Sequence, residues 1–163
     1  ICFVPDGDYA AVVERLRPER VPGEGEIVDV AGRVVGRHGG IHRFTVGQRR
    51  GLGLASDRRL YVTRIDAARN RVVVGDADAL GARAARIGRA SWVAGRAPAA
   101  PVRAQVRVRH RHAGAPATVL PQADGGARVV FDAPVAAVAP GQSAVFYAGD
   151  VVLGGGPIAE ALA

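Results

Sequence analysis

The spacing of apolar residues changes once along this chain, from a helical period to a period of two. In the segment DGDYAAVVERL, the apolar side chains share one helical face: Tyr9, Val12, Val13 and Leu16. Asp6 or Asp8 is a suitable N-terminal cap for this helix, and Pro18 and Pro22 close the segment. The pattern therefore predicts one short helix near the start of the chain.

Beyond Pro22, apolar and polar residues alternate in short runs separated by Gly, Pro, Asp or Asn, which is typical of antiparallel strands. Turn signals at Ala31-Gly32 and at Asn70 predict two hairpins. The predicted strands are 26–30, 33–38, 60–66, 71–75, 87–93, 102–111, 117–122, 127–132 and 143–149. This pattern predicts a mainly β fold of the small barrel or sandwich type. A loop-like stretch at 76–83 predicts a boundary between two domains, 1–78 and 79–163.

Charge adds a partner class to this picture. Basic residues number 22 against 15 acidic ones, all of the basic residues are arginine, and the formal net charge is +7. Such an excess favours a polyanionic partner, with nucleic acid first and an anionic membrane second. No apolar run is long enough to span a bilayer, and the single cysteine, Cys2, fits a reducing compartment such as the cytoplasm. The chain begins at Ile1 and contains no methionine, so we expect it to be a piece of a longer protein or a processed product.

The predicted strand VRAQVRVRHR carries the densest positive charge. Its apolar residues point to one face and its polar residues to the other, namely Arg103, Gln105, Arg107, Arg109 and Arg111. A solvated outer face is one interpretation. The other is a phosphate-binding surface, because like charges at alternate positions repel unless an anion lies between them.

Other motifs carry weaker signals. Cys2 is either a thiolate nucleophile activated by a nearby helix N-terminus or a small buried side chain at a chain end. His38 and His42, like His110 and His112, lack the Cys-x-x-Cys partner of a closed zinc site, so no metal is predicted. GLGL and LGGGP lack the lysine of a phosphate loop and are interpreted as tight turns, so no ATP site is predicted in this chain.

Three motifs in order then identify a relative for nearly the whole chain: ICFVPDGDY, GRHGGIHRFTVGQRRGLGL and FDAPVAAVAPGQSAVFYAGDVVLGGGPI. Together they resemble the C-terminal half of the tRNA-specific 2-thiouridylases, which replace the 2-oxygen of the wobble uridine with sulfur. The resemblance implies a mainly β fold, with a small central β-rich domain bearing one short helix, followed by an antiparallel C-terminal β-barrel. It also implies that the N-terminal ATP-pyrophosphatase domain lies outside this chain.

The resemblance carries a mechanism. In the family, ATP with magnesium adenylates the uridine in the N-terminal domain, and a persulfide on the cysteine of an I-C-F motif supplies sulfur. Cys2 matches that cysteine, whereas the second family cysteine has no counterpart here. The implied partners are tRNA and a cysteine desulfurase or sulfur-relay protein, with no membrane. We therefore expect the parent protein to be a cytoplasmic tRNA-uridine 2-sulfurtransferase. This chain on its own is expected to be inactive, because the ATP-binding domain lies outside it.

The resemblance also points to tRNA contacts. An arginine and an aromatic residue on a barrel strand, and the glutamine of P-G-Q, match Arg109, His110 and Gln142, with His110 standing where tyrosine is usual. In FTVGQRRGLGL the glycines permit a tight backbone path, which is expected to hold Gln48, Arg49 and Arg50 near the sulfur-transfer loop and the RNA.

Two alternatives stay open. Arg49 could instead pair with an acidic residue and fix the loop, and the whole chain could be a non-catalytic RNA-binding β-barrel module. Persulfide loading on Cys2 distinguishes the enzyme from the module.

Overall fold

The chain folds into two compact units that meet in sequence between Ala79 and Leu80. The structure is a computed structural model, and it describes residues 8–110 and 112–162. Strand content dominates both units, and the described residues contain one α-helix, α1 (Tyr9–Leu16). The expected mainly β class with one short helix is therefore confirmed.

The first unit contains a four-stranded sheet in the spatial order β2-β1-β4-β3. Its strands are β1 (Gly25–Asp29), β2 (Val34–His38), β3 (Tyr61–Asp66) and β4 (Arg71–Gly75). β1 and β4 run parallel, while the two hairpin pairs are antiparallel. The core of this unit is small and aliphatic, with Ile27, Leu52, Val62, Val72 and Val74 buried together.

Helix α1 is capped and tethered through polar contacts. The side chain of Asp8 accepts a hydrogen bond from the Ala11 amide at 3.0 Å, as an N-cap does. Glu14 accepts hydrogen bonds from His42, at 2.7 Å, and from Arg43, both in a single 3₁₀ turn (Ile41–Arg43). These two residues hold the pKa of the Glu14 carboxyl below its usual value, with the His42 hydrogen bond as the larger cause.

The second unit is a closed antiparallel barrel. Six strands follow one another in the order β10-β7-β8-β9-β5-β11, and pairing between β10 and β11 closes the ring. The strands are β5 (Gly81–Ile87), β6 (Ser91–Trp92), β7 (Val102–Arg107), β8 (Ala115–Pro121), β9 (Ala127–Ala136), β10 (Ser143–Ala148) and β11 (Val151–Leu162). The two-residue β6 pairs with β11 outside the ring. The interior is filled by small and branched side chains around the fully buried Phe146.

The glycines of LGGGP lie within β11 and do not form the tight turn expected from the sequence. β11 pairs with β10 on one side and with β6 and then β5 on the other. A Cβ atom at Gly154 would clash with the Ser91 carbonyl oxygen, and one at Gly156 with the Arg89 carbonyl oxygen. Glycine is present here because neighbouring backbone approaches too closely for any side chain.

Three further expectations about strands need correction. The stretch 76–83 is expected to be a loop, yet β5 begins at Gly81. The run 87–93 is expected to be one strand, yet it contains the end of β5, a connection and β6. The strand expected over 102–111 ends at Arg107, because the chain then bends toward β8.

Candidate nucleic-acid interface

The outer face of β7 carries the expected alternation, but its charges are not equivalent. Ala104, Val106 and Val108 are buried, while the arginines between them are exposed. Arg103 donates two hydrogen bonds to the Asp132 carboxylate, at 2.8 and 2.6 Å, and a third to the Thr118 hydroxyl. This bidentate pair lowers the pKa of Asp132 and raises that of Arg103, so the charge of Arg103 is balanced by a carboxylate on the barrel surface.

Arg107 has an aromatic neighbour in place of a carboxylate. Its guanidinium carbon lies 4.7 Å from the centroid of the Tyr147 ring. The two residues come together because β10 pairs antiparallel with β7, with Val145 opposite Arg107 and Tyr147 opposite Gln105. Arg107 makes no ion pair with any residue in the described part of the chain. A cation–π contact orients the guanidinium without cancelling its charge.

Arg109 is held by a neutral group. Its Nη1 atom donates to the Ala136 carbonyl oxygen at 2.8 Å, at the end of β9, and no ion pair forms within residues 8–110 and 112–162. His110 follows in the turn and is exposed, while Arg111 lies outside the described residues. The exposed cations of this segment therefore retain their charge for an external anion.

His112 lies at the end of the same turn. The sequence pattern did not indicate that it belongs beside these arginines. Its amide donates to the Arg109 carbonyl oxygen at 3.2 Å. Burial lowers the pKa of His112, and the charges of Arg109 and Arg107 lower it further. Burial and the two arginines therefore favour the neutral form of this imidazole.

Gln142 lies at the same end of the barrel. β7 ends at Arg107 and β10 begins at Ser143, and because the two strands pair antiparallel, the end of β7 and the start of β10 lie at the same end of the barrel. The Gln142 backbone is fixed by bonds to Ala139 and Ile158, at 3.2 and 2.7 Å, and its side chain is exposed. The barrel thus places Arg107, Arg109, His110 and Gln142 at one end, which we call the β7–β10 end.

The loop QRRGLGL lies in the first unit, and its amide is used internally. Gln48 accepts from the Thr45 amide and donates to the Arg50 carbonyl oxygen, both at 3.0 Å. Gly51 and Gly53 have φ of +72° and +66°, a conformation that strongly favours glycine. Gln48 therefore stabilises the loop conformation. Its side chain is half-buried, whereas Arg49 and Arg50 are exposed.

Arg49 and Arg50 are exposed on this loop, and neither forms an ion pair with a residue in the described ranges. The alternative in which Arg49 pairs with a carboxylate therefore finds no partner there. Arg49 instead lines a cleft of about 610 Å³ together with Arg58 and Arg59. Three arginines beside a glycine-rich backbone make this cleft suited to an anion.

The remaining candidates are described only in part. Cys2 lies outside the described residues. Within them, no group of three or more His, Cys, Asp or Glu side chains could hold a metal ion. His38 is buried and accepts a hydrogen bond from the Gly40 amide at 3.0 Å, so its role in the described structure is to pack the first unit.

Tyr147 is a surface residue that the sequence did not single out. Its pairing with Arg107 depends on the register of strands forty residues apart in the chain. The sequence feature that could have indicated Tyr147 is its place in SAVFYAG, where it alternates with Val145 on the outward face of the strand.

Comparison with known proteins gives two family matches in chain order. Residues 11–76 match the family described as the tRNA methyl transferase PRC-barrel domain, and residues 82–158 match the aminomethyltransferase beta-barrel domain. No helix in the described part of the chain is long and apolar enough to cross a membrane.

Individual relatives are similar over most of this chain. The tRNA-specific 2-thiouridylase MnmA of Solibacter usitatus is 52% identical over 163 residues, which cover 96% of this chain and 44% of that protein. The enzyme of the same name from Synechococcus is 47% identical over 93% of this chain and 42% of its own length. That from Chlorobium phaeobacteroides is 44% identical over 99% of this chain and 46% of its own length. The chain therefore spans less than half the length of these relatives.

Proposed function

Because this chain belongs to the tRNA-specific 2-thiouridylase family, we propose that it is the tRNA-docking and sulfur-transfer portion of an enzyme that 2-thiolates the wobble uridine of tRNA. The reaction uses ATP and a protein persulfide. The observation that carries the docking proposal is the β7–β10 end, where Arg107 and Arg109 are oriented by neutral groups and keep their charge.

The contrast with Arg103 supports this assignment. All three arginines lie on one strand or its continuation, yet only Arg103 is paired with a carboxylate among the described residues. A side chain that serves only as a solvated face needs no positioning partner, whereas Arg107 and Arg109 each have one. Orientation without neutralisation reduces the entropy lost when a phosphate binds and leaves the full Coulombic attraction available.

The exposed polar residues around these arginines complete the docking surface. His110 offers a ring for stacking or hydrogen bonding, and Gln142 offers an amide that both donates and accepts. Arg111 adds a further cation of the same segment. Phosphate contacts by the arginines set the position of the RNA, while the histidine and the amide reach its bases or riboses.

Cys2 is proposed as the sulfur carrier. A cysteine desulfurase or sulfur-relay protein forms the persulfide on its thiol, and the terminal sulfur then replaces the activated 2-oxygen of uridine. The loop braced by Gln48, with Arg49 and Arg50, holds RNA phosphates beside this step. The cleft shared by Arg49, Arg58 and Arg59 supports an anionic occupant for this loop.

Adenylation of the uridine is proposed to occur outside these 163 residues, in a domain that binds ATP and magnesium. The oxygen becomes a leaving group only after that step, so the chain alone is expected to form no 2-thiouridine. Release of sulfur from Cys2 also needs a second thiol, and the chain has one cysteine. A reducing compartment, the cytoplasm, suits this thiol chemistry.

Binding of unmodified tRNA to the chain tests the docking proposal. Replacing Arg107 and Arg109 with alanine should weaken binding and lower the slope of log affinity against log salt by roughly 0.7 to 0.9 for each phosphate that is no longer neutralised. The matched control replaces Arg103 and Asp132 with alanine, which removes a neutral pair from the same face. Equal slopes for both double variants would reject the β7–β10 end as the docking surface.

A further inference from the structure

A cleft of about 800 Å³ opens on the barrel, bounded by residues that the docking surface does not include. Its walls are the segments on either side of β6, the hairpin that joins β8 to β9, and Pro157 of β11. Its lining residues include Arg89, Trp92, Arg96 and Gln122. The residues of this concavity thus carry an indole, two guanidinium groups and an amide.

The indole of Trp92 forms a supported wall. It contacts the buried Phe146 with ring centroids 5.6 Å apart, and it is itself only partly buried. The core thus holds the ring from one side while the ring also lines the cleft. A fixed, partly exposed aromatic surface is the usual platform for an unstacked nucleobase.

Arg89 and Arg96 supply the charge. Both are exposed, and neither makes an ion pair with a carboxylate among the described residues. Asp124, in the adjacent hairpin, accepts a hydrogen bond from the Gly126 amide at 2.9 Å. The cleft therefore combines two cations with an aromatic ring, a set that suits an anionic aromatic ligand.

The walls of the cleft are held together by backbone hydrogen bonds. Ala90 donates to Gly125, and Gly88 donates to Pro157, both at 2.9 Å. A Cβ atom at Gly126 would lie within 2.5 Å of the Gly88 carbonyl oxygen, so glycine allows the hairpin to lie directly on this segment. These backbone contacts fix the walls of the cleft, so little reorganisation is needed when a ligand binds.

We propose that this cleft binds one unstacked nucleotide of an RNA, with the base against Trp92 and the flanking phosphates contacted by Arg89 and Arg96. The proposal rests on the proposed function, because it takes RNA as the partner, and it adds a second contact site on the barrel. Gln122 donates its Nε2 protons to the Leu120 and Pro121 carbonyl oxygens at 3.3 Å, which leaves its amide oxygen to accept from a base.

Trp92 is the only tryptophan of the chain, so its fluorescence reports on the cleft directly. Titration with a short single-stranded oligouridylate should quench this fluorescence in a saturable way, because a stacked base contacts the indole. Inorganic polyphosphate, which has charge but no base, should compete weakly and quench little. Equal quenching by both ligands would overturn base stacking and reduce the cleft to an anion site.

Variants separate this site from the β7–β10 end. Replacing Arg89 and Arg96 with alanine should weaken oligouridylate binding, measured by anisotropy of a labelled RNA, at least fivefold more than the charge-matched control, in which the exposed Arg64 and Arg83 are both replaced with alanine. Trp92→Phe keeps a ring and should retain most of the affinity, whereas Trp92→Leu should reduce affinity about tenfold, as base–aromatic stacking implies. Circular dichroism of each variant checks that the barrel is folded.

Two results would contradict the proposal. One is RNA binding, shown by anisotropy, with no change in Trp92 emission. The other is an affinity of the Arg89, Arg96 double variant equal to that of the Arg64, Arg83 double variant. Either result would reject this site. If replacing Arg107 and Arg109 nevertheless weakens tRNA binding, the proposed function is not affected.

Discussion

The guanidinium of Arg107 lies over the ring of Tyr147, with its central carbon 4.7 Å from the ring centroid. The contact joins an outward residue of β7 to an outward residue of β10 on the surface of the closed barrel. The charge of Arg107 is not cancelled, so the ring acts as a support that points the cation outward. The pair therefore gives a direct way to ask whether orientation, and not charge alone, matters for binding RNA.

Replacing Tyr147 with leucine should weaken tRNA binding about two- to fivefold, which is the size expected from an exposed cation–π contact. Tyr147→Phe keeps the ring and should bind as the unchanged protein does. The salt slope should stay the same in both variants because no charge is removed. Comparable reductions for phenylalanine and leucine would show that the hydroxyl, not the ring, is responsible.

The Arg103–Asp132 pair predicts a gain of affinity. Asp132→Asn should release Arg103 for an RNA phosphate while preserving the shape of the side chain. Affinity for tRNA should rise, and the slope of log affinity against log salt should steepen by roughly 0.7 to 0.9 if one more phosphate is neutralised. Thr118→Val, which removes only the neutral partner of Arg103, serves as the control. An unchanged slope in Asp132→Asn would place Arg103 outside the footprint of the RNA.

His112 makes the stability of the barrel depend on pH. Burial, followed by the charges of Arg109 and Arg107, lowers the pKa of its imidazole below the ordinary value of 6.5. The unfolded chain therefore takes up the proton more readily, so this contribution to stability is complete above pH 6.5 and is lost as the pH falls below it. Urea unfolding followed by Trp92 fluorescence should show midpoints that fall between about pH 7 and pH 5.5, a range above the titration of the carboxylates.

His112→Gln should flatten this pH dependence, since glutamine has no proton to bind in that range. His110→Gln is the matched control, because it changes an exposed histidine in the same turn. If both variants keep the slope of the unchanged protein, the dependence arises from another group.

Close backbone packing at β11 predicts a large effect from one methyl group. Gly156→Ala should destabilise the barrel by about 1 to 3 kcal/mol, as overpacking does, because the added carbon meets the Arg89 carbonyl oxygen. Gly88→Ala is the control, since its nearest neighbour would be 3.7 Å away, an ordinary contact. Urea unfolding of the two variants should differ clearly, and equal midpoints would mean that β11 can shift at no cost.

Much of the fold could be predicted from the period-two pattern of apolar residues. The strands that could not be predicted from it share one cause. The strands around Ile27, Val72 and Val129 carry β-branched residues, whose alternation is visible in the sequence. β5 contains Gly-Ala-Arg-Ala-Ala, and β11 contains three consecutive glycines, so neither has the side chains that mark a strand. Both are strands because distant partners, β9 and β10, supply their hydrogen bonds.

The candidate site also has features that could be predicted from the sequence and features that could not. The outward placement of Arg103 and Arg107 could be predicted from alternation on one strand. Their different partners, Asp132 and Tyr147, could not, because each contact depends on the register between segments far apart in the chain. The role of Gln48 as a loop brace likewise depends on the backbone path set by Gly51 and Gly53.

RNA docking and sulfur transfer together make up the proposed function, and the sulfur carrier is the part that distinguishes an enzyme portion from an RNA-binding module. The decisive measurement is the mass of the Cys2 peptide after the chain is incubated with a cysteine desulfurase and cysteine, then alkylated and digested. We predict that this peptide gains the mass of one sulfur atom, and that Cys2→Ser abolishes the gain. An unmodified Cys2 peptide, under conditions in which the desulfurase turns over, would contradict the sulfur-transfer role and favour the RNA-binding module.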